Sequence, residues 1–194
     1  MGDRLSSSGW AGSLASRGPQ YGVFAATMPD GTEVVVKVYP PELADKFNEE
    51  LVGARAASQT SVGARFYGLV DVGPDRLAFA MERVAGGFAD APHGATPEQE
   101  SEASHYASRV SDRTLADIDA YSQELLDLGY YASGEVQGSI DNSGRWRPID
   151  LQGIDRLSSD PVEAQEQRDD RASNIGMERR HLERLRDRHR GHNP

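Results

Sequence analysis

Apolar and polar residues alternate over 21–27 and again over 32–39, and Met28-Pro-Asp-Gly31 between them supplies the positive-φ position of a hairpin turn. Pro40 and Pro41 end the second strand. Leu43, Phe47, Glu50, Leu51 and Ala54 then recur at helical spacing, which predicts a helix over 42–57 crossing back over the hairpin. Two further strands are predicted at 64–72 and 76–84, separated by the turn residues Gly73-Pro-Asp75. Ala85-Gly-Gly87 and the polar stretch 89–100 break the periodicity, as a hinge followed by a loop would. Leu115, Ile118, Tyr121, Leu125 and Leu126 share one side of a main helix over 112–128. Residues 136–154 read as short strands around the turn Asp141-Asn-Ser-Gly144.

These elements predict an α+β chain in four segments. Residues 1–12, rich in Gly and Ser, are expected to be flexible, and 13–88 to form a small antiparallel sheet with one helix. Residues 89–157 form a second, minimal lobe. Residues 158–194 are acidic over 158–170 and Arg-rich over 177–190, with a poor core signature. They read as a charged helical tail, solvated, or alternatively docking a partner.

Composition narrows the function. No apolar run is long enough to span a bilayer, and the first residues lack the apolar region of a secretory signal, so a soluble mature chain is expected. The absence of cysteine excludes disulfides, thiolate zinc sites and a cysteine nucleophile. A net charge of −10 argues against general affinity for nucleic acid or anionic membrane. The five histidines show no ligand spacing, so zinc is not expected.

Two positions demand a chemical reason. Lys37 lies among β-branched residues, and a buried ammonium is costly unless it snorkels from an edge strand or meets an acid. Glu50 on the following helix is the best partner and Glu49 the alternative. Asp150 stands at the exit of the short apolar strand in Arg145-Trp-Arg-Pro-Ile-Asp150-Leu-Gln-Gly153, a placement that suits a carboxylate holding magnesium against phosphates.

Taken in order, the glycine loop, lysine strand, glutamate helix, two strands, hinge, helix, loop and Asp of residues 13–154 resemble a protein kinase. The resemblance implies a minimal two-lobed fold that binds ATP and Mg2+ between its lobes. Ser16-Arg-Gly18-Pro-Gln-Tyr21-Gly22 would cover the phosphates, with Gly18 and Gly22 admitting the backbone and Tyr21 capping them. Serine stands at the first glycine position of that loop, and one extra residue separates Gly18 from Gly22. Lys37 and Glu50 would position phosphates, backbone groups of Glu82 and Val84 would bond adenine, and Asp150 would hold magnesium. Leu151 takes the packing position of the Asp-Phe-Gly signature.

The catalytic loop departs from the kinase pattern. Glu135, in Ser133-Gly134-Glu135-Val136, stands where a catalytic Asp is expected. Its extra methylene shifts the carboxylate by about 1 Å, a displacement that can cost on the order of 100-fold in rate. The asparagine that binds the second magnesium is missing at its usual distance, leaving Gln137, Ser139 and Asn142 as oxygen donors. Gln137 fits the distance back from Asp150, and Ser139 fits the local pattern if one residue has been deleted.

After Asp150 only about forty residues remain, which resembles the minimal kinases that bacterial pathogens secrete as effectors. That family includes a plant-pathogen kinase acting on the ninety-kilodalton heat-shock chaperone, the group favoured by the close spacing of Glu135 and Asp150, and ubiquitin-binding enteric kinases. The resemblance implies a virulence factor delivered into a host or target cell and acting in its cytoplasm. Its substrate would be a host protein, a chaperone or a ubiquitin-pathway component. Two alternatives stay open: a pseudokinase binding module, for which Glu135 speaks, and a small-molecule kinase or toxin on the same core.

Overall fold

A computed structural model of the chain describes residues 5–12, 21–134 and 136–191, and only the backbone of 170–173, 189 and 191. Six strands form one curled sheet: β1 (Leu5–Ser6), β2 (Ala11–Gly12), β3 (Gly22–Thr27), β4 (Glu33–Tyr39), β5 (Phe66–Asp71) and β6 (Leu77–Glu82), in the order β1-β5-β6-β4-β3-β2. The β3–β4 hairpin closes through Gly31, whose φ of 86° needs a residue without a Cβ and whose N–H donates to the Met28 carbonyl at 2.9 Å.

Residues 5–12 correct the expectation of a flexible N-terminus. β1 pairs in parallel with β5 at one edge, and β2 pairs antiparallel with β3 at the other. The residues between them therefore cross from edge to edge and carry Trp10 into a core of Ala26, Val34, Val36, Val38, Val70, Ala78 and Ala80. Strands of two residues, built partly of Ser and Gly, show no readable alternation. The burial of one large indole anchors them.

The opposite face of the sheet packs on α1 (Ala44–Ala57), which follows a 3-10 turn at Pro41–Leu43. Its core joins Tyr39, Phe47, Ala54 and Phe79 to Leu115, Ile118, Tyr121 and Leu125 of α3 (Asp112–Asp127), so one continuous apolar cluster links the sheet to the helical half. Between them α2 (Pro97–Ala107) occupies part of the segment expected to be a loop. It starts at a capping box in which Thr96 and Gln99 exchange side-chain and backbone hydrogen bonds. Only Ala103 and Ala107 of α2 are buried, which leaves no apolar periodicity to read.

Short strands β7 (Tyr130–Ala132), β8 (Gly138–Ile140), β9 (Trp146–Pro148) and β10 (Ile154–Arg156) form two antiparallel pairs, β7 with β10 and β8 with β9. The last helix, α4 (Pro161–Gly191), corrects the expectation of a solvated tail. Ala164, Ile175, Leu182 and Leu185 are buried, and Asn174 donates to the Ala132 carbonyl at 3.0 Å. Glu178 accepts from the Trp146 indole at 3.2 Å, while Arg179 and Arg186 pair with Asp119 and Asp112 of α3. The apolar stripe is thin because polar anchors complete the contact. Among the described residues no helix is long and apolar enough to cross a membrane.

Candidate functional site

β4 alternates cleanly: Val34, Val36 and Val38 enter the core beneath Trp10, which turns Val35, Lys37 and Tyr39 toward α1. Lys37 Nζ lies 2.8 Å from Glu50 Oε2, which settles the choice of partner, since Glu49 is exposed and Glu50 only 3% exposed. The Glu50 carboxylate also accepts from the Tyr39 hydroxyl and, at 2.6 Å, from Gln152 Nε2. Burial by itself would raise the Glu50 carboxyl. The charge of Lys37 and the hydrogen bonds of Lys37, Tyr39 and Gln152 outweigh it and hold the group below the ordinary glutamate value. Tyr39 is pushed the other way, above the ordinary phenol range, first by burial and then by its bond to Glu50.

Asp150 sits on the loop facing this pair. Its N–H and that of Ile149 donate to the Gln137 carbonyl at 3.4 and 3.1 Å, while its own Oδ1 accepts the Gln152 N–H at 3.2 Å. Leu151 is fully buried, as its packing position implies. The loop lies so close to α1 that a Cβ at Gly53 would collide with the Leu151 carbonyl. Gly153 adopts φ 70°, and its carbonyl accepts the N–H groups of Ser133 and Gly134 at 2.7 and 3.3 Å. Glu135 lies outside the described residues, but its neighbours Gly134 and Gln137 both touch the Asp150–Gly153 loop.

Gly18, with the rest of 13–20, also lies outside the described residues. Gly22 opens β3, and the Tyr21 ring lies tilted against that of Tyr39 with 5.2 Å between ring centroids. Lys46 of α1 stands 5.5 Å from the Tyr21 ring, so Tyr21 leans over the wall that carries the Lys37–Glu50 pair.

A cavity of about 460 Å³ opens beside the linker that follows β6. Val84, Gly86, Ser139 and Ile149 line it, with Gln99 and Glu102 from α2. Val84 is thus placed on a cavity, and Glu82 has a bracing role. Its N–H donates to the Arg65 carbonyl at 2.8 Å, and its carboxylate accepts from the Arg65 N–H and from Arg147. An N–H already spent on a neighbouring strand is not free for a purine.

Ser139 and Gln137, the expected oxygen donors for a second magnesium, face different surroundings. Ser139 is 4% exposed and packs beneath Gly86, where its Oγ has no hydrogen-bond partner and borders the cavity. Gln137 meets Asp150 through its carbonyl, and its exposed side chain lines a different groove with Asp90 and His181. Strand pairing of β8 with β9 dictates this, since Ser139 opposite Arg147 must face the linker side. Gln152 bonds Glu50, and Gln99 and Glu102 of α2 line the cavity; none of the three was singled out in the sequence, and a polar residue next to the buried Leu151 was the only available signal for Gln152.

Among the described residues no three His, Asp or Glu side chains converge to hold a metal. A single carboxylate at Asp150 fits a divalent cation that takes its remaining oxygens from phosphates and water, not an all-protein cage. The cavity with the unsatisfied Ser139 hydroxyl is lined by Ile149, the residue before Asp150. No protein-family model matches the chain, and no curated protein matches it.

Proposed function

We propose that this chain is an ATP- and magnesium-dependent protein kinase of the minimal bacterial effector type, with a two-lobed kinase-like fold, that phosphorylates a hydroxyl of a host protein. The observation that carries this reading is the Lys37–Glu50 ion pair, tied through Gln152 to the loop presenting Asp150. Lys37, held in place by Glu50, attracts phosphate oxygens on one side of the cleft, and Asp150 offers a metal-binding carboxylate on the other. When bound, magnesium would neutralise the charge that builds on the phosphates during transfer. Val84 and Ser139 orient the purine, and Ser139 Oγ gains the partner it lacks. Gly18, Tyr21 and Gly22 cover the phosphates. Glu135 takes the proton of the acceptor hydroxyl. Secretion into a host cell, and a substrate drawn from chaperones or the ubiquitin pathway, belong to the same proposal.

A second reading is a pseudokinase that uses the cleft to bind without transferring, favoured by glutamate at position 135 in place of aspartate. Incubation of the wild type and Asp150→Ala with γ-labelled ATP, magnesium and a eukaryotic lysate separates the two. Label on a discrete protein that disappears with Asp150→Ala supports the kinase; label in neither sample, with magnesium-dependent ATP binding retained, supports the pseudokinase.

A further inference from the structure

Among the described residues only Leu157–Asp160 separates β10 from α4. Contacts made by the loop itself contribute to setting Asp150 against the Lys37–Glu50 pair. Gln152 is bonded in both directions: its N–H donates to Asp150 Oδ1 at 3.2 Å, and its carboxamide Nε2 donates to Glu50 Oε1 at 2.6 Å. Glu50 uses its other oxygen for Lys37. One residue therefore connects the candidate metal carboxylate to the candidate phosphate-binding ammonium, by its backbone N–H to Asp150 and by its side chain to Glu50, through two bonds that involve no ligand.

We infer that Gln152 is a positioning residue that locks the Asp150 loop onto the Lys37–Glu50 pair. The inference rests on the kinase reading above. A carboxamide suits the task because it presents a neutral donor to a carboxylate that already carries the charge for Lys37. A carboxylate in the same place would face Glu50 as a like charge and share one proton with it. Lys37 and Tyr39 of β4, Lys46 of α1 and Asp150 of the loop are the titratable groups around that pair.

The test compares wild type, Gln152→Leu and the isosteric Gln152→Glu in steady-state phosphoryl transfer at neutral pH, alongside carbon-13 NMR titration of the Glu50 carboxyl in wild type and Gln152→Leu without nucleotide. Gln152→Leu should lower kcat on the order of 10- to 100-fold with KM for ATP changed less than about threefold, since it loosens geometry and leaves the ligand contacts in place. It should also raise the Glu50 titration point. Gln152→Glu, which presents no N–H donor to Glu50, should be slowed at least as much as Gln152→Leu. Full activity in either Gln152→Leu or Gln152→Glu overturns the inference while leaving the kinase reading intact. A wild type that transfers no phosphate overturns both.

Discussion

Arg147 of β9 donates to the Glu82 carboxylate at 2.8 Å and to the carbonyls of Val62 and Gly63 at 2.6 and 3.1 Å. One guanidinium thereby ties the helical half to the end of β6 and to the loop after α1. Glu124 of α3 adds a second tie by accepting the Ser61 N–H. Both ties fix α1, and with it Glu50, relative to the Asp150 loop.

Arg147→Ala should lower stability by about 2–3 kcal/mol, because it strips three acceptors of a charged donor. Urea unfolding monitored by tryptophan fluorescence would show this as a lower midpoint. An unchanged midpoint would mean that the brace contributes nothing.

Gly53→Ala puts a methyl group against the Leu151 carbonyl. Backbone on both sides leaves little room to yield, so the substitution should cost about 1–3 kcal/mol and push the Asp150 loop away from α1. A variant as stable as wild type would contradict the close approach.

Trp10→Ala empties the centre of the core closed by β1 and β2 and should cost about 3–5 kcal/mol. Hydrogen exchange should accelerate in β3 and β5, the strands that β1 and β2 pair with. Exchange unchanged there would indicate that 5–12 adds nothing to the sheet.

The depressed Glu50 carboxyl makes stability depend on acid pH. The folded state holds Glu50 ionised below the ordinary value of 4.5, so near that pH the unfolded chain binds more protons. The stabilisation is complete above that value and is lost as pH falls through the depressed one. Denaturation of wild type and Glu50→Gln between pH 3 and 6 should therefore give a steeper rise of stability with pH for the wild type; parallel curves would refute the shift.

The hairpin, α1 and the Lys37–Glu50 pairing were readable because each has a local signal: Asp30-Gly31 at the turn, helical spacing from Leu43 to Ala54, and an ammonium in a β-branched strand. What escaped reading depends on partners distant in sequence. Trp10 finds its core only once both sheet edges exist. Ile175, Leu182 and Leu185 are too sparse to mark α4 as packed until Asn174, Glu178 and Arg186 find acceptors or donors on β7, β9 and α3. Ser139 and Gln137 looked equivalent along the chain, and the β8–β9 pairing separates them. Gln152 gains its meaning from Glu50, 102 residues earlier.

The measurement that bears most directly on this account is calorimetric titration of ATP into wild type, Lys37→Ala and Asp150→Ala, each with and without magnesium. The account predicts magnesium-dependent binding to the wild type, weakened about tenfold or more by Lys37→Ala and stripped of its magnesium dependence by Asp150→Ala. Equal affinity in all three proteins, or no binding to the wild type, would contradict a nucleotide site built on Lys37, Glu50 and Asp150.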